Sequence, residues 1–391
     1  MSRLGWLESA LDAAREGQSA PVTLHAARQA LERGRAGEPL PLRDVALLLR
    51  DADPEREAAL AAAAFEVREA VFGRRVGLFA PLYYSNVCSN DCVYCGFRRS
   101  LGTARRRVLE PAEIAGEARA LTQQGHGRIL LIASEDPTPH GWELALAAAD
   151  GIASVAPIRP GEWSTETEGL FLAAELAPRP PADFARLAAR GVSAYVLFQE
   201  TYDPALYPTV HPGGPKASFE NRLAGLENAA AGGIARLGLG ALFGLGEPAL
   251  ETVALVAHAR HLEMLTGRPA GSVSAPRLEP ADDVPFTLAP PRPVSDREWL
   301  RILAVLRLAL PQSDLIVSTR ESIEMRRAAL GVGATVFSAG SRTDPGGYSG
   351  TGSSRGQFRV GDERSLDEVA ADLRASGFEP TAGNEGVTRA V

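Results

Sequence analysis

Short apolar runs alternate with amphipathic helical stretches from about residue 76 onward, and this rhythm is the feature that most limits the possible folds. An apolar run of this length bounded by turn residues is typical of a buried strand, and the stretches between the runs have helical periodicity. About eight strand–helix units indicate a closed parallel barrel. The predicted fold class is therefore α/β, a (βα)8 barrel of the TIM type. The predicted strands cover residues 76–84, 129–133, 170–175, 195–199, 237–242, 272–276, 315–318 and 335–338.

The segments on either side of the barrel have a different composition. Residues 1–75 are rich in Ala, Leu, Arg and Glu and predict an N-terminal helical extension, which leaves residues 76–345 for the barrel. Residues 346–391 predict a loop followed by a C-terminal helix and tail that pack outside the barrel. The loop, residues 346–357, is rich in Gly and Ser and is expected to be mobile.

Two serines mark the starts of helices. Ser295 is followed by Glu298, and Ser365 is followed by Glu368. A hydroxyl at the cap and a carboxylate three residues later are typical of a capping box. We therefore expect helices to begin at both positions.

The chain contains three cysteines, and all three lie in one polar loop after the first predicted strand. Cys88, Cys92 and Cys95 follow the spacing Cys-x3-Cys-x2-Cys. Three thiolates can hold three irons of a [4Fe–4S] cluster, and the fourth iron then stays open to a small molecule. The spacing therefore predicts an iron–sulfur cluster with one open iron.

Other uses of these cysteines fit the sequence less well. A structural zinc site normally takes four protein ligands, and no second cysteine pair or nearby histidine accompanies this run. Free buried thiols tend to be scattered through apolar segments, whereas these lie among Asn86, Ser89, Asn90 and Asp91. Disulfides suit an even number of cysteines in a secreted chain. We therefore favour the cluster.

Composition narrows the function classes. With 45% hydrophobic residues the chain can bury a substantial core. A net charge of −7 and the absence of a dense basic stripe argue against a nucleic-acid surface. No apolar run approaches the ~20 residues of a membrane-spanning helix, and the N-terminus lacks the apolar core of a signal peptide. The expectation is a cytoplasmic protein that acts on a small molecule.

Polar side chains follow most of the predicted strands. In a (βα)8 barrel the reacting groups lie at the carboxyl ends of the strands. Carboxylates and amides at such positions can bind a ribose or an α-ammonium group, and an arginine beside hydroxyls can bind an α-carboxylate. An amino-acid-like ligand is therefore expected, although any one of these residues taken alone could equally be a helix cap or a rim ion pair. The strand-end residues include Tyr83, Ser134, Glu135, Asp136, Glu175, Gln199, Glu200, Thr201, Arg277, Ser318, Thr319, Arg320 and Ser338.

Two weaker patterns receive structural interpretations. Gly238, Gly240 and Gly244 do not have the spacing of a phosphate-binding loop and lie in a predicted strand, so we expect close backbone packing there. His258 and His261 share one face of a predicted helix without a third metal ligand, so we expect surface residues.

Several segments, taken together with the cysteine run, resemble one enzyme family. They are residues 81–86, 198–202, 276–280, 318–321 and 338–348. They resemble the aromatic amino acid lyase branch of the radical S-adenosylmethionine (SAM) enzymes over about residues 76 to 375. This branch includes the tyrosine lyases of thiamine synthesis and of [FeFe]-hydrogenase maturation and the tryptophan lyase of nosiheptide synthesis. The resemblance implies a [4Fe–4S] cluster and SAM as cofactors.

The resemblance also implies roles for individual residues. Cys88, Cys92 and Cys95 would bind the cluster. Arg320 and Ser338 would hold the substrate carboxylate, with Tyr83 near the substrate. The residues implied at SAM are Tyr94 and Phe97 against the adenine, Ser134 and Glu135 at the methionine group, and Glu175, Gln199 and Glu200 on the ribose or sulfonium side. In the family a glycine is common at the position of Ser134.

The activity implied is cleavage of the Cα–Cβ bond of L-tyrosine to 2-iminoacetate (dehydroglycine) and p-cresol through a 5′-deoxyadenosyl radical. Within the matching segments the sequence most resembles the core of the hydrogenase-maturation enzyme. Residues 376–391 contain none of the cysteines of that enzyme's C-terminal cluster domain. The expectation is a tyrosine lyase core without the second half of that chemistry.

Two alternatives remain open. The substrate could be tryptophan or another aromatic amino acid, because the carboxylate contact is common to the branch. The chain could also be a non-catalytic scaffold that binds SAM and a cluster during metallocofactor maturation. The resemblance further implies a flavodoxin or ferredoxin as electron donor, and a thiazole synthase as a partner by analogy.

Overall fold

The computed structural model describes residues 4–382 apart from residues 20, 52, 162, 164–168 and 351–355. Four helices precede the barrel: α1 (Gly5–Ser19), α2 (Leu24–Arg35), α3 (Leu42–Arg50) and α4 (Pro54–Phe72). The Asp53 side chain caps α4 by accepting a hydrogen bond from the Arg56 backbone N–H (3.0 Å). The helix ends at Gly73, whose φ of 61° a residue with a side chain rarely adopts. The chain can therefore turn directly into the first strand.

Eight parallel strands form the barrel. They pair in sequence order from the second to the eighth, and the first strand pairs with both the eighth and the second, which closes the ring. The prediction of a closed (βα)8 barrel is confirmed. The strands are β1 (Arg75–Ser85), β2 (Arg128–Ala133), β3 (Phe171–Glu175), β4 (Ala194–Glu200), β5 (Arg236–Ala241), β6 (Ser272–Ser274), β7 (Asp314–Val317) and β8 (Val336–Ser338).

Helices follow every strand and cover the outside of the barrel. They are α5 (Pro111–Gln123), α6 (Pro139–Ala153), α7 (Pro181–Ala188), the short α8 (Tyr207–Val210), α9 (Phe219–Ala231), α10 (Pro248–Thr266), α11 (Asp296–Ala309), α12 (Ile323–Leu330) and α13 (Leu366–Ala375). Sequence reasoning missed α6, although Thr138 caps it and Pro139 opens it.

The two predicted helix caps differ in one detail. Ser365 and Glu368 form the complete capping box. Ser295 accepts from the Glu298 backbone N–H (3.2 Å), but the Glu298 carboxylate accepts from Arg292 instead (2.9 Å). Both helices begin where expected, and the reciprocal bond is made at one of them.

A ninth strand was not predicted. After α13, β9 (Glu379–Thr381) pairs in parallel with the amino end of β1, with Arg75 opposite Glu379. The C-terminal segment thus extends the sheet beyond the eight barrel strands. A three-residue strand is too short to show a period-2 pattern, which explains why it was missed.

The barrel separates two apolar layers. Side chains of β1 alternate, so that Phe79 and Tyr83 point inward while Leu78, Ala80 and Leu82 pack against the helices. At the base of the interior, Trp163 meets the rings of Phe79 and Phe171 edge to face, with ring centroids 5.0 Å apart in each pair.

The glycines of β5 serve close packing, as predicted. A Cβ at Gly238 would lie 2.6 Å from Ser272 Oγ, and one at Gly240 would lie 2.7 Å from the Phe198 ring. The prediction for His258 is wrong, because Trp6 of α1 stacks on it at 4.9 Å and buries it against Tyr202. Among the described residues, no helix combines the length and apolarity needed to cross a membrane.

Candidate active site

An open cavity lies at the carboxyl ends of the barrel strands, and the empty space in it and at its solvent-filled mouth amounts to about 1190 Å³. Apolar side chains form its inner part, and polar side chains from the ends of β1, β3, β4, β6, β7 and β8 surround its mouth. Such a site, apolar with a few convergent polar groups, suits a small organic ligand. Its inner lining includes Phe79, Leu130, Ile132, Trp163, Val196, Phe198 and Ile316.

The cysteine loop follows β1 directly and lies at this mouth. Cys95 lines the cavity, and Cys92 is buried beneath it. Backbone N–H groups already point at two sulfurs, from Asn90 to Cys88 Sγ (3.5 Å) and from Phe97 to Cys95 Sγ (3.3 Å). Such N–H groups stabilise the negative charge of thiolate ligands.

The three thiols fit a multi-iron cluster better than a single ion. Burial raises the pKa of the Cys92 thiol to about 12 and also raises the pKa of Cys88, so the positive charge of a bound metal would favour ionisation of both thiols. Among the described residues, no three Cys, His, Asp or Glu side chains converge on one point suited to a single metal ion. In a [4Fe–4S] cluster each thiolate binds a different iron, so such convergence is not required.

Buried ion pairs support the cysteine loop. Arg222 of α9 pairs with Glu135 after β2, and both side chains are nearly buried, at 5% and 11% exposure. Glu135 also accepts from the Asn90 side chain (2.8 Å), and its carbonyl accepts from the Ser89 backbone N–H (3.0 Å). Burial opposes the charge of Arg222, but the Glu135 carboxylate raises its pKa above the usual value. Glu135 therefore helps to shape the loop.

A second buried pair lies at the end of β4. A bulge shifts the register there, and Glu200 takes a φ of 71°, which directs its carboxylate into the cavity. It accepts from Lys216 Nζ at 2.7 Å. Burial alone would lower the pKa of Lys216, but the carboxylates of Glu200 and Glu135 raise it. A strained backbone at a cavity is a common sign of a functional residue.

Glu175 at the end of β3 differs from these carboxylates, because it has no hydrogen bond or ion pair to another described residue. Burial and the nearby negative charge of Glu200 raise its pKa to about 7. It faces the cavity, and the positive charges of Arg222, Lys216 and Arg320 oppose this rise in its pKa. It is available to a bound ligand.

Arg320 faces the cavity from the loop after β7. Its guanidinium carbon lies 3.3 Å from the ring centroid of Phe358, and among the described residues it has no carboxylate partner. Burial lowers its pKa. Ser338 at the end of β8 accepts from the Thr319 backbone N–H (2.9 Å), which leaves its own hydroxyl hydrogen to donate. Both side chains line the cavity and carry hydrogen-bond donors of the kind that bind a carboxylate.

Glu279, after β6, faces the same part of the cavity. Burial raises the pKa of its carboxyl group, and the neighbouring Glu321 adds to this effect while Arg320 opposes it. Glu321 is itself paired with Arg277. Glu279 has no partner among the described residues and suits an ammonium group.

The structure brings part of the predicted set together. Tyr94 lies at the cavity, where its hydroxyl is 2.8 Å from His211 Nε2. The predicted residues that line the cavity are Tyr83, Tyr94, Cys95, Glu175, Glu200, Arg320 and Ser338.

Other predicted residues lie elsewhere. Ser134 lines a separate surface pocket with Asp136 and His140. The Gln199 amide is buried outside the cavity lining without a described partner. Phe97 packs under Tyr83 at a centroid distance of 6.1 Å, away from the lining.

Sequence reasoning also missed residues that shape the site. Lys216, Arg222 and Phe358 follow no predicted strand, and their partners are distant in sequence. Gln357 lies in a segment expected to be a mobile loop, of which residues 351–355 are outside the described residues; its side chain nevertheless bonds to Tyr83 (2.9 Å) and Cys95 (3.6 Å). Glu279 was seen only as part of a motif. Its position just after a strand was the usable signal.

Most of the chain is similar in sequence to known protein families. The Radical SAM superfamily matches residues 82–259, and the Biotin and Thiamin Synthesis associated domain matches residues 274–379. The 2-iminoacetate synthase of Escherichia coli K12 is 32% identical over 310 residues, which are 79% of this chain and 78% of that protein.

Solved structures of related enzymes show the same similarity. The hydrogenase maturase HydG from Carboxydothermus hydrogenoformans has a TM-score of 0.85 and 34% identity, covering 96% of this chain and 84% of that one. Another crystal structure of HydG has a TM-score of 0.87 and 31% identity, covering 96% of this chain and 80% of that one.

Proposed function

Because this chain belongs to the radical SAM family that includes 2-iminoacetate synthase, we propose that it is a carbon–carbon lyase acting on L-tyrosine. The products would be 2-iminoacetate and p-cresol, with methionine and 5′-deoxyadenosine from SAM. When bound, the [4Fe–4S] cluster and SAM supply the radical that abstracts hydrogen from the substrate. The residues that would hold the cluster are Cys88, Cys92 and Cys95.

The observation that carries the substrate class is Arg320. A guanidinium that faces a cavity without an acidic partner is a strong site for an anion, and its planar fork matches a carboxylate. Ser338 would donate a further hydrogen bond to the same carboxylate. Glu279, near Arg320, would accept from the α-ammonium group. Together these residues would fix the backbone atoms of an amino acid.

The cavity would then receive the aromatic side chain. Its inner lining is apolar and closed at the base by Trp163, so a ring would be buried away from water. Exclusion of water protects a reactive radical from side reactions. Tyr83 lies at the border between this apolar part and the polar mouth, where it would lie near the substrate.

The SAM side of the site would be the region of Glu175, Glu200 and Tyr94. All three line the cavity beside the cysteine loop. The paired Glu200 would accept from a ribose hydroxyl, and the unpaired Glu175 would lie near a positive group of SAM or substrate. Glu135 and Phe97 would act by shaping the cysteine loop, and neither Ser134 nor Gln199 would touch SAM from its present position.

Substitution of Arg320 tests the proposal. Arg320→Ala should remove p-cresol formation from tyrosine while the absorption and electron paramagnetic resonance (EPR) spectra of the cluster stay unchanged. The matched control is Arg190→Ala, which removes an outer ion pair to Asp150 (3.0 Å) and should leave turnover unchanged. Normal p-cresol formation by Arg320→Ala would contradict the assignment. If the wild-type enzyme cleaves tryptophan but not tyrosine, the proposed substrate is tryptophan instead.

Two partners follow from this chemistry. Each turnover needs an electron for the cluster, so a flavodoxin or ferredoxin is proposed as donor. The product 2-iminoacetate hydrolyses readily, so a thiazole synthase that consumes it is proposed as acceptor. Pull-down and turnover assays with each purified partner test these proposals separately.

A further inference from the structure

Residues 356–359 cross the mouth of the cavity, and we call this segment the strap. Its backbone is held at several points: Gln357 N–H donates to the Thr343 carbonyl (3.1 Å), and Arg359 N–H donates to the Pro280 carbonyl (2.9 Å). Gly96 N–H in the cysteine loop donates to the Gln357 carbonyl (3.3 Å). The strap is therefore fixed to both the cysteine loop and the loops after β6 and β8.

The close approach to the cysteine loop depends on a glycine. A Cβ at Gly96 would lie 2.6 Å from the Gln357 carbonyl oxygen. This position, directly after Cys95, can therefore admit the strap only because it has no side chain. The contact is built into the loop that holds the cysteines.

The side chain of Gln357 joins two groups of the site. Its Nε2 lies 3.6 Å from Cys95 Sγ, and its Oε1 lies 2.9 Å from the Tyr83 hydroxyl. A thiolate ligand can only accept hydrogen bonds, so the amide nitrogen faces the sulfur and the amide oxygen faces Tyr83. Burial raises the pKa of Tyr83 far above its usual value, so its hydroxyl stays protonated and donates.

The next residue of the strap contacts the carboxylate site. Phe358 lies over the guanidinium of Arg320, 3.3 Å from ring centroid to guanidinium carbon. Gln357 thus contacts Cys95 of the cysteine loop, and the adjacent Phe358 contacts Arg320, the proposed substrate anchor. The peptide bond between Gln357 and Phe358 therefore links these two contacts directly.

We propose that Gln357 is a positioning residue that couples the cluster to substrate occupancy, by donating a hydrogen bond to Cys95 Sγ while it orients Tyr83. Hydrogen bonds to cluster sulfurs stabilise the reduced, more negative state and so raise the reduction potential. Substrate bound at Arg320 and Tyr83 would adjust the strap and hence this bond. The coupling to substrate rests on the proposed function, whereas the effect on the cluster does not.

Coupling of this kind is reciprocal. If L-tyrosine changes the midpoint potential of the cluster, reduction of the cluster must change the affinity for L-tyrosine by the matching factor. A change in the substrate site alone or in the cluster alone would not give both effects. The proposal therefore predicts two linked measurements.

The experiment is a redox titration of the reconstituted holoenzyme, followed by EPR, with and without L-tyrosine and without SAM so that no turnover occurs. Gln357→Leu and Gln357→Met remove the donor with similar side-chain size. Both should lower the midpoint potential and abolish the shift that tyrosine produces in the wild type. Phe358→Leu should keep the substrate-free midpoint and lose only the tyrosine-induced shift.

Arg359→Gln is the matched control on the same strap. Its side chain pairs with Asp282 on the outside (3.2 Å), and its removal should leave both the midpoint and the tyrosine shift unchanged. Equal iron and sulfide content in all variants is the requirement for comparison. If iron is lost in both Gln357 variants, Gln357 is an assembly residue and the proposal is wrong.

The outcomes separate the two hypotheses. An unchanged substrate-free midpoint in Gln357→Leu contradicts the role of Gln357, whatever the substrate. A wild type without any tyrosine shift contradicts the coupling. The Gln357 variants could shift the midpoint potential while the wild type forms no p-cresol. This result would contradict the tyrosine lyase assignment but still support the hydrogen bond to Cys95.

Discussion

At the scale of single residues, the surroundings of Glu175 disfavour the charged form of its carboxyl group. Burial and the charge of Glu200 raise its pKa to about 7 from 4.5, and Arg222, Lys216 and Arg320 only partly oppose this. Between these two pH values the folded state keeps a proton that the unfolded state loses, so stability falls as the pH rises through this window. Above about pH 7 the folded protein therefore carries the cost of a charged carboxylate at this half-buried position.

Replacement of this carboxyl group by an amide should remove that cost. Glu175→Gln is expected to raise the melting temperature of the anaerobic, SAM-free holoenzyme at pH 8 and to have little effect at pH 5. Thermal unfolding followed by circular dichroism at both pH values checks this. An equal change at pH 5 and pH 8 would show that the carboxyl group is not buried in the way described.

Removal of one partner from the ion pair of Glu135 and Arg222 should destabilise the protein. Arg222→Met leaves the Glu135 carboxylate buried without its cation, and we expect a loss of about 3–5 kcal/mol in the free energy of unfolding. Arg186→Met is the matched control, because its partner pair with Glu143 is exposed at 45% and 59%. It should change stability by less than about 1 kcal/mol. Urea titration of both variants gives the comparison.

At the scale of secondary structure elements, β5 can lie close to its neighbours because Gly238 has no side chain. A Cβ there would meet Ser272 Oγ at 2.6 Å and Val196 Cγ2 at 2.9 Å. Gly238→Ala should therefore destabilise the protein by about 1–3 kcal/mol through overpacking. In Gly102→Ala the new Cβ would have no heavy atom within 4 Å, so that variant should be nearly neutral. Similar losses in both would contradict this explanation.

The elements also show what the sequence could predict. The helices α9 and α10 were recognised, because stretches of 13 and 19 residues are too long for a buried strand. β9 was missed, because pairing with β1 and not its own three residues makes it a strand. His258 was assigned to the surface, because α1 covers it from a distant part of the chain.

At the scale of the whole molecule, the site combines residues that local reasoning finds with others that it cannot. Strand-end positions identified Arg320 and Glu175, because barrel topology alone brings the strand ends together. Lys216 and Arg222 lie on a connection and a helix, and only the tertiary fold brings them to Glu200 and Glu135. Long-range pairing of this kind leaves no pattern in a single sequence.

Arg68 connects the junction between α4 and β1 with two segments that are distant in sequence, at Ala334 and Phe378. It is fully buried in α4, and its guanidinium donates to the carbonyls of Arg75 (2.8 Å), Gly73 and Ala334 (3.3 Å). The same group lies over the ring of Phe378, 4.7 Å from its centroid. The helical extension, the start of the barrel and the C-terminal segment therefore meet at one side chain.

Loss of this guanidinium should weaken all three parts together. Arg68→Met keeps the apolar packing but leaves three buried carbonyls without a donor, so we expect a loss of about 3 kcal/mol or more in the free energy of unfolding. Hydrogen exchange should become faster both in β1 and in β9. Arg74→Met is the control, because Arg74 contacts the same ring from a position 46% exposed and should cost less than about 1 kcal/mol. If exchange in Arg68→Met becomes faster in β9 alone, the C-terminal segment unfolds independently and Arg68 does not unite the three parts.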